Sequence, residues 1–161
     1  MPYDSAVAGV ISALKDSRRT GLAEPLAQLM VQRIPPPAAG SVLVPIPQSP
    51  ARRRERGFNQ AELLAAHLAR EWGLPMRGVL TRPDGGRHQR GASRGARLGQ
   101  VQGAFVAQGR VPHQAVLVDD VLTTGSTITA AARTLRAAGS ARVGAVVTAR
   151  VVLAGMGTRV G

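Results

Sequence analysis

The sequence predicts an α/β fold: a central, mostly parallel sheet flanked by helices, with a helical segment ahead of it. Three observations carry this. Apolar β-type runs at residues 41–46, 115–119 and 143–149 alternate with stretches whose apolar residues recur at helical spacing. Strands connected through helices pair parallel, by right-handed crossovers. The 161 residues, 44% of them hydrophobic, suit one domain of ordinary size. Its core must be built mainly from Ala, Val and Leu, because Tyr3, Phe58, Trp72 and Phe105 are the only aromatic residues.

Taken in order, residues 5–18 place Val7, Val10, Ile11 and Leu14 on one helical stripe. Residues 22–33 repeat the pattern with Leu22, Leu26, Leu29 and Met30, and Gly21 separates the two. Pro35, Pro36 and Pro37 end the second helix and make a stiff link, so residues 1–37 form the N-terminal helical segment. Residues 41–46 read as a buried strand. Asn59 then caps a helix, with Glu62 in capping-box position and Ala61, Leu64, Ala65, Leu68 and Trp72 on the inner face. A short strand surrounds Val79 and Leu80. Residues 82–103 have almost no apolar periodicity and much Gly, Arg and Gln, which predicts a long flexible loop of the kind that serves as a lid. After the strand at 115–119, a helical pattern begins at Ile128 and runs through Ala131, Leu135 and Ala138 until Gly139 stops it. There is no internal repeat, and the tail from Ala154 is rich in glycine.

Composition narrows the function. The chain has no cysteine, which excludes disulfides and cysteine-ligated zinc. His67, His88 and His113 show no metal-ligand spacing. No stretch reaches the length of a membrane span and no signal peptide is visible, so the expected compartment is the cytoplasm. The net charge is +12, and Lys15 is the one basic residue that is not arginine. A positive field favours polyanions such as nucleotides or nucleic acid. The arginines cluster at Arg52, Arg53, Arg54 and Arg56, and again at Arg82, Arg87, Arg90, Arg94 and Arg97.

The most informative segment is VLVDDVLTTGST, residues 116–127. An apolar strand delivers Asp119 and Asp120 to the carboxyl edge of the sheet, where ligands of open α/β folds bind. The loop Thr123, Thr124, Gly125, Ser126 and Thr127 offers N–H groups and hydroxyls to a phosphate, and the start of the next helix adds its positive dipole end. A polar turn with Ser126 or Thr127 as helix cap would account for the loop. It would not account for two adjacent like charges at a strand end.

This segment resembles the motif by which type I phosphoribosyltransferases bind 5-phosphoribosyl-1-pyrophosphate (PRPP). The resemblance assigns Asp119 and Asp120 to the ribose 2- and 3-hydroxyls, with proton acceptance as a further role, and residues 123–127 to the 5-phosphate. Upstream, VPIP at 44–47 followed by RRRERGFNQ at 52–60 is similar to the ComF branch of that family, as are Arg82, Gln89, Arg97 and the run Gly103, Ala104 and Phe105. Gln100 stands where the family pattern has asparagine.

The resemblance covers nearly the whole chain and implies a single phosphoribosyltransferase-like domain over 1–161. Residues 47–56 would be the pyrophosphate loop, with Arg52 and Arg56 its ligands and Arg53 and Arg54 as alternatives. Residues 82–103 would close over PRPP and bring Arg87, Arg90, Arg94 or Arg97 to the leaving group. It further implies Mg²⁺ bound through PRPP, a homodimer, and a base-selecting hood for which the N-terminal helices are the candidate. Family members often begin with a four-cysteine zinc ribbon, which this cysteine-free chain lacks. Two other functions fit the same features. One is a competence or DNA-uptake factor that binds single-stranded DNA, its PRPP site a sensor or relic, although the scarcity of aromatics opposes it. The other is a PRPP-binding regulator without transfer activity.

Overall fold

The computed structural model describes residues 23–83, 104–122 and 125–150. The helix expected at 5–18, most of the expected loop at 82–103, Thr123, Thr124 and the tail lie outside the described residues. The elements are α1 (Ala23–Arg33), β1 (Val42–Pro45), α2 (Pro50–Arg56), α3 (Gln60–Trp72), β2 (Leu80–Thr81), β3 (Val106–Ala107), β4 (Gln114–Leu122), α4 (Ser126–Ala137) and β5 (Arg142–Arg150).

β1, β4 and β5 form a parallel sheet in the order β1-β4-β5, as the alternation of strands and helices predicts. Side chains alternate across it. Leu43, Val116, Val118 and Val146 pack against Leu26, Ala27 and Met30 of α1 and Leu64, Ala65 and Leu68 of α3. Val44, Ala115 and Leu117 pack on the other face against Ala130, Ala131 and Leu135 of α4, together with Leu80 and Phe105. Both faces of the sheet are therefore covered, which explains why its strands read as continuous apolar runs. Met76 adds a single parallel bridge to the outer edge of β1, where Leu43 donates to the Pro75 carbonyl and accepts from the Arg77 N–H, both at 2.9 Å.

This path matters for function. From β1 the chain travels through α3 to the edge of β1 away from β4. From β4 it travels through α4 in the opposite direction, to β5. Crossovers of one hand that run in opposite directions must cover opposite faces. The carboxyl ends of β1 and β4 thus flank a topological switch point, where an open α/β sheet leaves a crevice uncovered.

Two sequence expectations are revised and one strand, β3, is added to those expected. β2 pairs with β3 in an antiparallel ladder, Leu80 opposite Ala107 and Thr81 opposite Val106, and β3 is too short for any period to reveal. Leu29, expected on the inner stripe of α1, is 38% exposed, and the buried face is Ala23, Leu26, Ala27 and Met30. Residues 50–56, expected as part of a loop, are helical.

The core assignment yields a paired test. Leu64→Ala removes a fully buried side chain and should cost about 2–5 kcal/mol of unfolding free energy in urea. Leu29→Ala should stay within about 0.5 kcal/mol of the parent. Equal losses would contradict the observed face of α1.

Candidate functional site

The β1–β4 ladder ends at a definite place. The Ile46 N–H donates to the Val118 carbonyl at 3.0 Å. In a parallel ladder the next bond would join the Asp120 N–H to the Ile46 carbonyl. Side chains occupy both groups instead. The Asp120 N–H donates to Asp119 Oδ1 at 2.9 Å, and Asn59 Nδ2 donates to the Ile46 carbonyl at 3.0 Å. Beyond this point β4 runs beside β5 without β1, with Asp119 opposite Val147. Alternation sets Asp119 on the face of Leu117, toward α4, and Asp120 on the face of Val118, toward α3. Both acids are half-buried.

A cavity of about 530 Å³ occupies the opening. Ile46, Pro47, Gln48 and Ser49 border it from the end of β1, Arg52 and Arg56 from α2, and Asn59, Gln60 and Ala61 from the start of α3. Asp119 and Asp120 border it from β4, Thr127 from α4, and Arg82 from the segment after β2. The structure therefore brings together five residues singled out in the sequence: Arg52, Arg56, Asp119, Asp120 and Thr127. Gly125 and Ser126 are described but do not border the cavity; Thr123, Thr124, Arg87, Arg90, Arg94 and Arg97 lie outside the described residues.

Local chemistry explains each support. Ser49 is extended (φ −62°, ψ 147°), its side chain accepts from the Arg52 N–H at 3.4 Å, and Pro50 opens α2, a position where its missing N–H costs nothing. Gly57 closes α2 at φ 80°, a backbone region that favours glycine, and its N–H donates to the Arg53 carbonyl at 2.8 Å. No residue of α2 is buried. Its arginines therefore stay at the surface and the cavity rim rather than in the core. Asn59 is 2% exposed and caps α3, accepting from the Ala61 N–H at 3.1 Å. Glu62 pairs with Arg53 of α2 at 3.4 Å. α4 starts two residues before the first apolar residue of its pattern. Gly125, at φ 76°, is its N-cap, and no cap side chain bonds to its first turn.

Sequence reasoning placed Gln48 in the pyrophosphate loop and Arg82 in the closing loop without giving either a role of its own, and it gave Gln60 none. Arg82 lies 5.5 Å over the ring of the buried Phe105, a cation–π contact that fixes it beside the cavity. The position of Arg82, directly after a predicted strand, was the available signal. Gln60 is 2% exposed, and an unpaired amide there would be costly. It accepts from Arg56 Nη1 at 3.2 Å and from Gln48 Nε2.

The cavity thus joins hydrogen-bond acceptors that suit hydroxyl groups, Asp119 and Asp120, to guanidinium groups that suit phosphate oxygens. Among the described residues no three His, Asp or Glu side chains converge on a metal site. Two adjacent carboxylates suit Mg²⁺ only in its usual mode, held by one or two protein oxygens while phosphates and waters complete the shell. Among the described residues no helix is long and apolar enough to cross a membrane.

Comparison with known proteins defines the class. The chain belongs to the phosphoribosyl transferase domain family, whose model matches residues 59–153. It is 36% identical over 102 residues to Competence protein F of Haemophilus influenzae, covering 60% of this chain and 44% of that protein. It is 32% identical over 151 residues to DNA utilization protein YhgH of Salmonella typhi, covering 88% of this chain and 66% of that protein. Within the family the chain is ComF-like, and it spans about half to two thirds of the length of these relatives. The allosteric regulatory enzyme of purine biosynthesis shares the fold, with a TM-score of 0.52 at 24% identity over 82% of this chain and 25% of that one.

Asn59 closes both the ladder and the helix, so its loss should be felt in stability. Asn59→Ala removes the α3 cap and the donor to a buried carbonyl and should lower the unfolding free energy by about 2 kcal/mol. A change below about 0.5 kcal/mol in urea unfolding would show that neither bond matters.

Proposed function

We propose that the cavity binds PRPP with Mg²⁺, and that the chain transfers the phosphoribosyl group to a nitrogen acceptor with release of pyrophosphate. The observation that carries this reading is the gathering of Asp119, Asp120, Arg52 and Arg56 around one cavity at the switch point. Asp119 and Asp120 accept hydrogen bonds from the ribose 2- and 3-hydroxyls. Arg52 and Arg56 hold the pyrophosphate by charge-assisted bonds. The loop from Thr123 to Thr127 takes the 5-phosphate at the start of α4, where N–H groups and the helix dipole favour an anion.

In the transfer, the acceptor nitrogen's lone pair forms the new bond to the anomeric carbon. The bond from that carbon to the pyrophosphate oxygen breaks, and its electron pair leaves with pyrophosphate. The acceptor's proton passes to Asp119, Asp120 or solvent. Mg²⁺ bound with PRPP supplies further neutralisation of the departing charge. Residues 82–103 close over the reacting centre and bring Arg87, Arg90, Arg94 or Arg97 to the leaving pyrophosphate, and closure excludes water from an oxocarbenium-like carbon. The protein acts chiefly by positioning and charge stabilisation. We place it in the cytoplasm, as a single domain over 1–161 that forms a homodimer.

A second reading follows from the relatives' names and from Arg52, Arg53 and Arg54, which α2 leaves exposed. The chain would be a competence or DNA-uptake factor that binds single-stranded DNA through phosphate contacts.

Calorimetric titration of PRPP with Mg²⁺ tests the first reading. The parent should bind saturably, and the Asp119→Asn, Asp120→Asn double variant should lose about a hundredfold or more in affinity. Its melting temperature should stay near the parent's, since an asparagine Oδ1 still accepts from the residue-120 N–H. Unchanged affinity would sink the site assignment. Salt-sensitive DNA binding that survives in the double variant, with no PRPP bound by the parent, would favour the second reading.

A further inference from the structure

The amide of Gln60 is buried at the rim of the cavity, on the first residue of α3. Arginine can only donate hydrogen bonds, so the 3.2 Å contact from Arg56 Nη1 identifies the Gln60 atom it meets as the carbonyl oxygen. Gln48 approaches that same oxygen and must therefore present its NH₂ group. This leaves Gln48 Oε1 buried with no hydrogen-bond partner among the described residues. A network shaped for stability alone would pair that oxygen, because an unmatched buried acceptor costs free energy. What the arrangement achieves instead is directional. One fixed oxygen receives both Gln48 and Arg56, and so ties the guanidinium at the end of a surface helix to the rigid start of α3. Arg52, by contrast, has no carboxylate partner among the described residues.

We infer that Gln60 is a positioning residue that holds Arg56 in the geometry needed to grip the leaving pyrophosphate, with Gln48 bracing the same Gln60 oxygen. The inference rests on the PRPP reading of the cavity. An uncharged acceptor suits this task. It orients Arg56 through one N–H and leaves its full positive charge for the ligand, whereas a carboxylate there would neutralise it. Without the tie, Arg56 must be ordered anew at each binding event, and that entropy is taken from the affinity.

The test is a double-mutant cycle read by calorimetric titration of inorganic pyrophosphate with Mg²⁺, and of PRPP. Gln60→Met keeps the volume and removes the acceptor. Gln60→Asn keeps an amide but withdraws it by one methylene, and serves if the methionine variant melts early. Either should weaken pyrophosphate binding about tenfold. In an Arg56→Met background the same changes should have no further effect, since the group being positioned is gone. A merely structural role would give equal losses in both backgrounds, and that result overturns the inference, as does parent-like affinity in the Gln60 variants. If the parent binds PRPP, the Asp119→Asn, Asp120→Asn variant loses it and the Gln60 variants do not, the site reading stands and this inference falls. If the parent binds neither PRPP nor pyrophosphate, both fall.

Discussion

The arrangement depends on how one β-ladder is brought to an end. β1 and β4 are held by regular parallel hydrogen bonds up to the Ile46 N–H. The next donor and acceptor, the Asp120 N–H and the Ile46 carbonyl, are satisfied by Asp119 and Asn59 rather than by each other. Buried backbone groups cannot be left unpaired without cost, so two side chains must replace the missing rung. Asn59 does this while capping α3, which fixes where that helix starts and thus where Gln60 sits. Asp119 does it with one oxygen of the carboxylate we assign to the ribose. The opening of the crevice and the placement of its polar residues are consequences of the same two hydrogen bonds.

The sheet explains why the opening falls here. The chain leaves β1 and β4 in opposite directions and on opposite faces, so neither the α3 nor the α4 crossover covers the crevice between their carboxyl ends. α3 and α4 then contribute their first turns, through Gln60 and Thr127, from opposite sides of the sheet. The segment to which we assign ribose and phosphate binding is continuous in sequence, yet its described residues Asp119, Asp120 and Thr127 border a cavity whose other walls come from residues 46–61 and from Arg82, across the switch point.

Much of this was legible in the sequence, and what was not has physical causes. The apolar runs that became β1, β4 and β5 were visible because both of their faces are buried. The cap at Asn59 and the inner face of α3 follow from local rules that need no tertiary knowledge. The pair Asp119 and Asp120 stood out because charge is rare at the end of such a run. α2 was missed because it buries nothing and so has no hydrophobic period, although Ser49 and Pro50 before it and Gly57 after it are terminal signals that could have revealed it. β3 and its pairing with β2 depend on contacts across more than twenty residues, to which no local pattern answers. Leu29 was misplaced because a stripe of leucines was favoured over one that includes Ala23 and Ala27. Gln48 and Gln60 carry no signal of their own, since an amide acquires a role only from the arginine it meets.

α2 also connects stability to function. Its seven residues include Arg52, Arg53, Arg54 and Arg56, with Glu55 the one acid among them. Isolated helices of this length do not persist in water, and like charges three or four residues apart weaken them further. Among the described residues, α2 is supported by its two caps, the exposed Arg53–Glu62 pair and the bond from Arg56 to Gln60. The exposed pair contributes little, because solvent screens it. An anion bound between Arg52 and Arg56 would relieve the repulsion and add links to the rest of the site. By linkage, any ligand that prefers the folded helix stabilises it by the same free energy with which the folded helix favours the ligand. On the proposed reading, a rim helix rich in like charge would be least secure when empty and most ordered with pyrophosphate bound, so the charge that weakens it is the charge that would hold the ligand.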